Sequence, residues 1–163
     1  MSGFSFLHGK RGEHLVMLQF ALLFAFIITP VWHPIPMQTW LELLALPRQI
    51  VWFFSGLIAI LFVGFGMLNL RENLTPLPYP VDHNQLVRHG MYNWVRPPLY
   101  ASQLFIAFGW VLFSLSVSHL LLFIVGFWFF DYKASKEEIW LTERHPEYVD
   151  YAKRVRKFIP WVY

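Results

Sequence analysis

The chain of 163 residues contains no cysteine, which excludes a disulfide framework and a thiolate metal site and leaves the redox compartment unmarked. Charge is scarce as well: Asp, Glu, Lys and Arg together make up 14% of residues, against roughly a quarter in ordinary soluble domains. The net charge of +3 is too small for a nucleic-acid footprint. No internal repeat or low-complexity tract divides the sequence, so residues 1–163 read as one domain. Histidine is missing from the middle of every long apolar run: His8, His14, His33, His83, His89, His119 and His145 lie in connections, run ends or the tail. A haem with axial histidines deep in a bilayer is therefore disfavoured, while one near an interface through His83 or His89 stays open. No metal-ligand spacing stands out.

What the chain has in excess is apolar and aromatic: 56% hydrophobic and 20% aromatic residues, with a mean hydropathy of +0.44. That composition predicts an all-α integral membrane protein. The runs divide it into about four transmembrane helices, over residues 15–32, 50–70, 100–114 and 118–132. A helix over 15–32 reaches about 27 Å, near the thickness of a hydrocarbon core, and Gln19 inside it is expected to face protein rather than lipid. Gly56, Gly64 and Gly66 in the second span suggest close helix packing first and cofactor contact second. The run over 100–132 would be about 50 Å as one helix, too long for one crossing. Ser114, Ser116, Ser118 and His119 divide it into a C-terminal helical hairpin. Residues 33–48, with Pro34, Pro36 and Pro47, read as an interfacial loop, and residues 133–163 as an amphipathic cytoplasmic tail broken by Pro146 and stopped by Pro160.

Lysine and arginine sort by side. Two precede the first span, three lie in the connection over 71–99, seven lie in the tail, and only Arg48 falls opposite. Both termini and the long connection are therefore expected in the cytoplasm, on a multi-pass protein.

That connection ends in LVRHGMYNWVRPPLYASQ, residues 86–103, an aromatic and basic stretch opening directly into the third span. Gly90 permits a positive φ that a side chain would penalise. Pro97 and Pro98 hold the residues before them out of the α region, and Pro98 suits the first position of a helix. Arg96 then stands beside a helix N-terminus, where a ligand carboxylate or phosphate is favoured. Tyr100 and Gln103 share one face of that helix and can line one pocket. The alternative is that Arg96 and the aromatics only anchor the helix at headgroup level.

In order along the chain, Gly90, Tyr92, Val95, Arg96, Pro98 and Tyr100 spell G-x-Y-x-x-V-R-x-P-x-Y; a hydrophobic hairpin follows, then Glu137-Glu138, a P-E-Y-x-x-Y run and the ending RKFIP. With Asn73-Leu74-Thr75-Pro76 upstream, this arrangement resembles the isoprenylcysteine carboxyl methyltransferase and phospholipid methyltransferase family over roughly residues 70–160. The resemblance implies an integral membrane enzyme that binds S-adenosylmethionine between loop, hairpin and tail, with a lipophilic acceptor arriving from the bilayer. It assigns cofactor binding to Gly90, Tyr92, Arg96, Tyr100, Glu137 and Glu138, joined by Gln103 from the helix spacing, and an acceptor-side catalytic role to Arg154 or Arg156. The family usually reads R-H-P-x-Y where this chain has Arg96-Pro97-Pro98-Leu99-Tyr100, and proline cannot supply an imidazole hydrogen bond. The literal string recurs as Arg144-His145-Pro146-Glu147-Tyr148, after the glutamates, where it opens no membrane helix and reads as coincidence.

A sulfonium methyl is already electrophilic, so such an enzyme has chiefly to hold donor and acceptor in line in a water-poor site. The expected acceptor is a lipophilic small molecule, a prenylated compound or a membrane lipid with a carboxylate, thiol or amine head. Arg154, Arg156 and Lys157 favour an anionic head, or serve as an anchor on anionic lipid. Taken alone, Glu137 and Glu138 would be a solvated helix face. The competing functional class is a non-catalytic membrane scaffold or assembly protein with a degraded cofactor site.

Overall fold

The computed structural model describes residues 12–70 and 86–163. Asn73 to Pro76, His83, Lys10, Arg11 and most of the connection expected over 71–99 lie outside the described residues. Among the described residues six helices follow in order: α1 (Glu13–Ile28), α2 (Gln38–Leu43), α3 (Ala45–Leu70), α4 (Pro98–Ser114), α5 (Val117–Arg144) and α6 (Tyr148–Arg154), with a 3-10 turn at Gly90–Asn93. Among the described residues there is no strand, only one isolated bridge between Val95 and Arg156.

Helix α3 and helix α5 are long and apolar enough to cross a membrane, while α1 and α4 are shorter apolar helices. The outward faces carry large apolar side chains, among them Phe20, Phe24, Ile27, Phe53, Ile60, Leu68 and Trp128, all exposed. An apolar surface of that extent suits lipid and would associate in water. The core gathers Leu15, Phe62, Ala101, Leu104, Phe129, Phe130 and Ala134, with Val95 and Phe158 brought in from outside the long helices.

Four boundaries differ from the sequence expectation. Helix α1 stops at Ile28, not residue 32, because Pro30 holds Thr29 in extended conformation (ψ 129°). The connection over 33–48 contains the short helix α2. Helix α3 begins at Ala45, before Pro47 and Arg48, since proline is tolerated in a first turn. Helix α5 runs through the end expected at residue 132 to Arg144. Hydropathy changes at Lys133, but KASKEEIWLTER is rich in good helix formers, so the backbone ladder continues until Pro146 forces His145 out of the helix.

The α3–α4 contact is the most extensive between helices. Gly109 permits a close approach within it, since an added Cβ would lie 2.5 Å from that of Ser55. Of the three α3 glycines, Gly66 abuts Pro98, whereas Gly64 faces open space, so close packing does not explain it. At the hairpin turn, Leu115 takes a left-handed φ of 51° and Ser116 caps α5. Beyond α6 the chain turns back: Arg96 N donates to Arg156 O (3.1 Å), and Phe158 packs on Phe127.

Candidate functional site

The site grows from the start of α4. Pro98 occupies its first turn, and Pro97, extended at φ −88° and ψ 138°, is the N-cap without a side-chain hydrogen bond. Proline's fixed φ and absent N–H suit that first turn. Just upstream, Gly90 adopts φ +61°, and an added Cβ would lie 2.3 Å from Asn69 Oδ1. Asn69 closes that turn by accepting from Met91 N (2.9 Å). Gly90 is thus required both by its backbone conformation and by the end of α3.

From this corner two side chains reach α5. The Tyr100 hydroxyl donates to Glu137 Oε1. Arg96 Nη1 lies 3.0 Å from Glu138 Oε1. That contact lacks hydrogen-bond alignment, so Glu138 Oε1 is held by charge and remains a buried acceptor with no aligned donor. Arg96 is further fixed by Nε donating to Val155 O (2.7 Å), by Tyr148 OH at 3.4 Å and by the Tyr148 ring, 5.8 Å from its guanidinium carbon. The arginine therefore ties the entrance of α4 to α5, α6 and the returning C-terminal segment.

Tyr92 lies behind this pair, and its carbonyl accepts from Tyr151 OH (2.5 Å). Burial is the main cause that pushes the phenols of Tyr92, Tyr148 and Tyr151 above their ordinary pKa, so all three stay neutral hydrogen-bonding groups at physiological pH. Gln103, one turn into α4, accepts from Gln19 Nε2 (3.1 Å). Gln19 in turn accepts from Lys133 Nζ, so it faces protein as its place in an apolar helix predicts. Lys133 is 2% exposed, and its Nζ lies 4.7 Å from the Tyr100 ring centroid.

Two cavities adjoin the cluster. One of 420 Å³ lies between α1, α3, α4 and α5. Gln19, Gln103 and Phe130 line one end; Thr29, Trp110 and His119 line the other. A polar depression of 300 Å³ is lined by Arg88, Asn93, Tyr151, Arg154 and Val155.

The residues singled out in sequence thus fall into three groups. Arg96, Tyr100, Glu137 and Glu138 meet in one cluster, with Gly90 and Tyr92 shaping the loop beside it. Gln103 belongs to the polar chain with Gln19 at the apolar cavity. Arg154 and Arg156 are exposed; Arg154 lines the shallow depression, while Arg156 contributes its carbonyl to Arg96. Sequence reasoning assigned no site role to Lys133, Tyr148, Tyr151 or Asn69. Lys133 had a signal, a charge at the end of an apolar run one turn before Glu137. Tyr148 stood inside the string dismissed as coincidence. The buried acceptor on Glu138, the guanidinium beside it and the surrounding phenols form a donor and acceptor set that fits an amino-acid zwitterion or a ribose.

An apolar helical bundle with lipid-facing aromatics and charged pairs gathered at one end defines a membrane protein with an internal polar site. Residues 49–148 match the profile of the phospholipid methyltransferase family. The match spans more than half the chain and takes in Gly90, Arg96, Tyr100, Glu137 and Glu138, so the chain belongs to that family. No curated protein and no solved structure matches it.

Proposed function

We propose that this protein is a multi-pass membrane methyltransferase that uses S-adenosylmethionine to methylate the polar head of a lipophilic acceptor. The observation that carries the reading is the junction of Arg96 and Tyr100 with Glu138 and Glu137, which unites the two halves of the sequence pattern at one end of the bundle. When bound, the cofactor supplies an electrophilic methyl group on its sulfonium. Arg96 holds a carboxylate, and Glu138 accepts from an ammonium or a ribose hydroxyl through its buried oxygen. Tyr100 orients Glu137 for the same task. Gly90 and Tyr92 form the loop wall, and Gln103 marks the passage to the apolar cavity, whose lining suits an acyl or isoprenoid tail. Arg154 and Arg156 serve the acceptor from the rim.

On this reading the single domain crosses the bilayer four times through α1, α3, α4 and the first part of α5. Both termini are cytoplasmic, consistent with the distribution of lysine and arginine. A competing reading as a non-catalytic scaffold is favoured by Pro97, which offers no side-chain hydrogen bond where the family usually has histidine. Incubating membranes that contain the protein with methyl-labelled cofactor, followed by extraction, tests the enzyme reading. Label is expected in the organic phase, and label confined to water-soluble products overturns the lipophilic acceptor. Calorimetry without any heat of cofactor binding to the wild type establishes the scaffold reading instead.

A further inference from the structure

Among the described residues Lys133 is almost fully enclosed, and no ion pair holds its ammonium. Desolvating an ammonium is costly, and an enclosed ionisable group whose charge partner, Glu137, lies beyond ion-pair contact calls for a functional account. An ammonium has three N–H donors. Here one goes to Gln19 Oε1 and the Tyr100 ring takes the charge from another side. Glu137, one turn along α5, lends a favourable field, but its own oxygen receives the Tyr100 hydroxyl. Among the described residues Gln19 Oε1 is the one oxygen that takes a hydrogen bond from Lys133.

Its location gives the ammonium a use. Along α5, Phe130 is the last residue to line the apolar cavity, and Lys133 and Glu137 follow on the same helical face. Gln19 and Gln103 line the same cavity end, and Gln19 holds Lys133 directly. The lysine therefore stands at the seam between the apolar chamber and the Arg96–Glu138 cluster. Gln19, locked between Gln103 and Lys133, fixes where the ammonium sits. By contrast Arg154 and Arg156 are exposed and lie with the C-terminal segment.

Resting on the methyltransferase reading above, we propose that Lys133, positioned by Gln19, is the specificity-determining anchor for the acceptor head, and that it selects amphiphiles bearing an oxyanion. The tail enters the apolar chamber, the oxyanion takes a Lys133 donor, and the methyl-accepting atom is brought beside Glu137 and Glu138. Carboxylate and phosphate share the required chemistry, a compact anionic oxygen that accepts a charge-assisted hydrogen bond.

The test measures binding of hexadecyl phosphate, palmitate and hexadecanol to the full-length protein in detergent by quenching of its tryptophan fluorescence. Wild type is compared with Lys133→Met, Lys133→Arg and Gln19→Glu. The anionic amphiphiles are expected to bind wild type at least about tenfold more tightly than hexadecanol. Lys133→Met removes that preference, Lys133→Arg keeps part of it, and Gln19→Glu, which leaves the lysine but neutralises it, also lowers it. Palmitate and hexadecyl phosphate, run separately, identify which oxyanion is read. An equal loss for all three ligands, or a preference that survives both Lys133→Met and Gln19→Glu, overturns the proposal. Because binding is read without turnover, a lysine-dependent preference in a protein that transfers no methyl group upholds the oxyanion site while the methyltransferase reading fails. Methyl transfer with no lysine-dependent preference does the reverse.

Discussion

The two ends of the helical bundle use polar residues in opposite ways. At the hairpin end, side chains serve the backbone. Arg48 donates to Phe113 O, His33 to Ser114 O at 2.8 Å, and Ser118 to Pro30 O at 2.8 Å. Ser116 receives Trp32 N and contacts His119 Nδ1 at 2.8 Å. These bonds satisfy the carbonyls and amides that helix ends leave open. At the opposite end, charged side chains meet one another across α4, α5 and the C-terminal return, and Glu138 Oε1 keeps capacity for a donor. A helix terminus requires the first kind of arrangement. It does not require the second, which costs desolvation and reflects a demand placed on the site.

The sharpest way to break this contrast is Arg96→Met. It strips Glu138 of its counter-charge and Val155 O of its donor. The pair is only partly enclosed, so the unfolding free energy is expected to fall by about 2–3 kcal/mol, below the full cost of breaking a buried pair. Cofactor binding, followed by calorimetry in detergent, is expected to fall about a hundredfold. A variant with full affinity would reduce Arg96 to a structural latch between α4 and the tail.

Tyr100→Phe is a smaller change at the same end. It removes only the hydroxyl given to Glu137 and leaves the ring against Phe130. Cofactor affinity is expected to drop about tenfold, with a stability loss of about 1 kcal/mol in thermal unfolding. If stability falls while affinity holds, Glu137 belongs to the scaffold and not to the site.

The smallest functional effect is expected from Ser116→Ala at the hairpin. It removes the α5 cap and a partner of His119, and should lower stability by about 1 kcal/mol. Cofactor affinity should stay at the wild-type value. A matching drop in affinity would mean that the two ends are coupled and that the contrast between them is false.

Much of the fold was legible because it rests on local rules. Proline's missing N–H and fixed φ set the start of α4 at Pro98, whereas the end of α1 at Ile28, ahead of Pro30, fell short of the expected residue 32. Gly90 announced its positive φ, and the serines between two apolar runs announced the hairpin. Gln19 could be assigned to the interior because an amide in an apolar helix has few other places to go. The length of α5 was less legible, since hydropathy marks where an apolar surface stops and not where a backbone ladder does.

The sequence by itself therefore determined an apolar helical protein, the family pattern and the residue types on which any site would draw. Only the tertiary structure decided that Arg96 meets Glu138, that Tyr100 meets Glu137, and that Tyr148 encloses the arginine. It also decided that Lys133 turns inward to Gln19 and that Asn69 closes on Gly90. The physical reason is that helix formation and its termination depend on neighbours within a turn or two. Which side chains face one another across the bundle depends on how α4 and α5 pack, on the rigid continuation of α5, and on the return of the C-terminal segment.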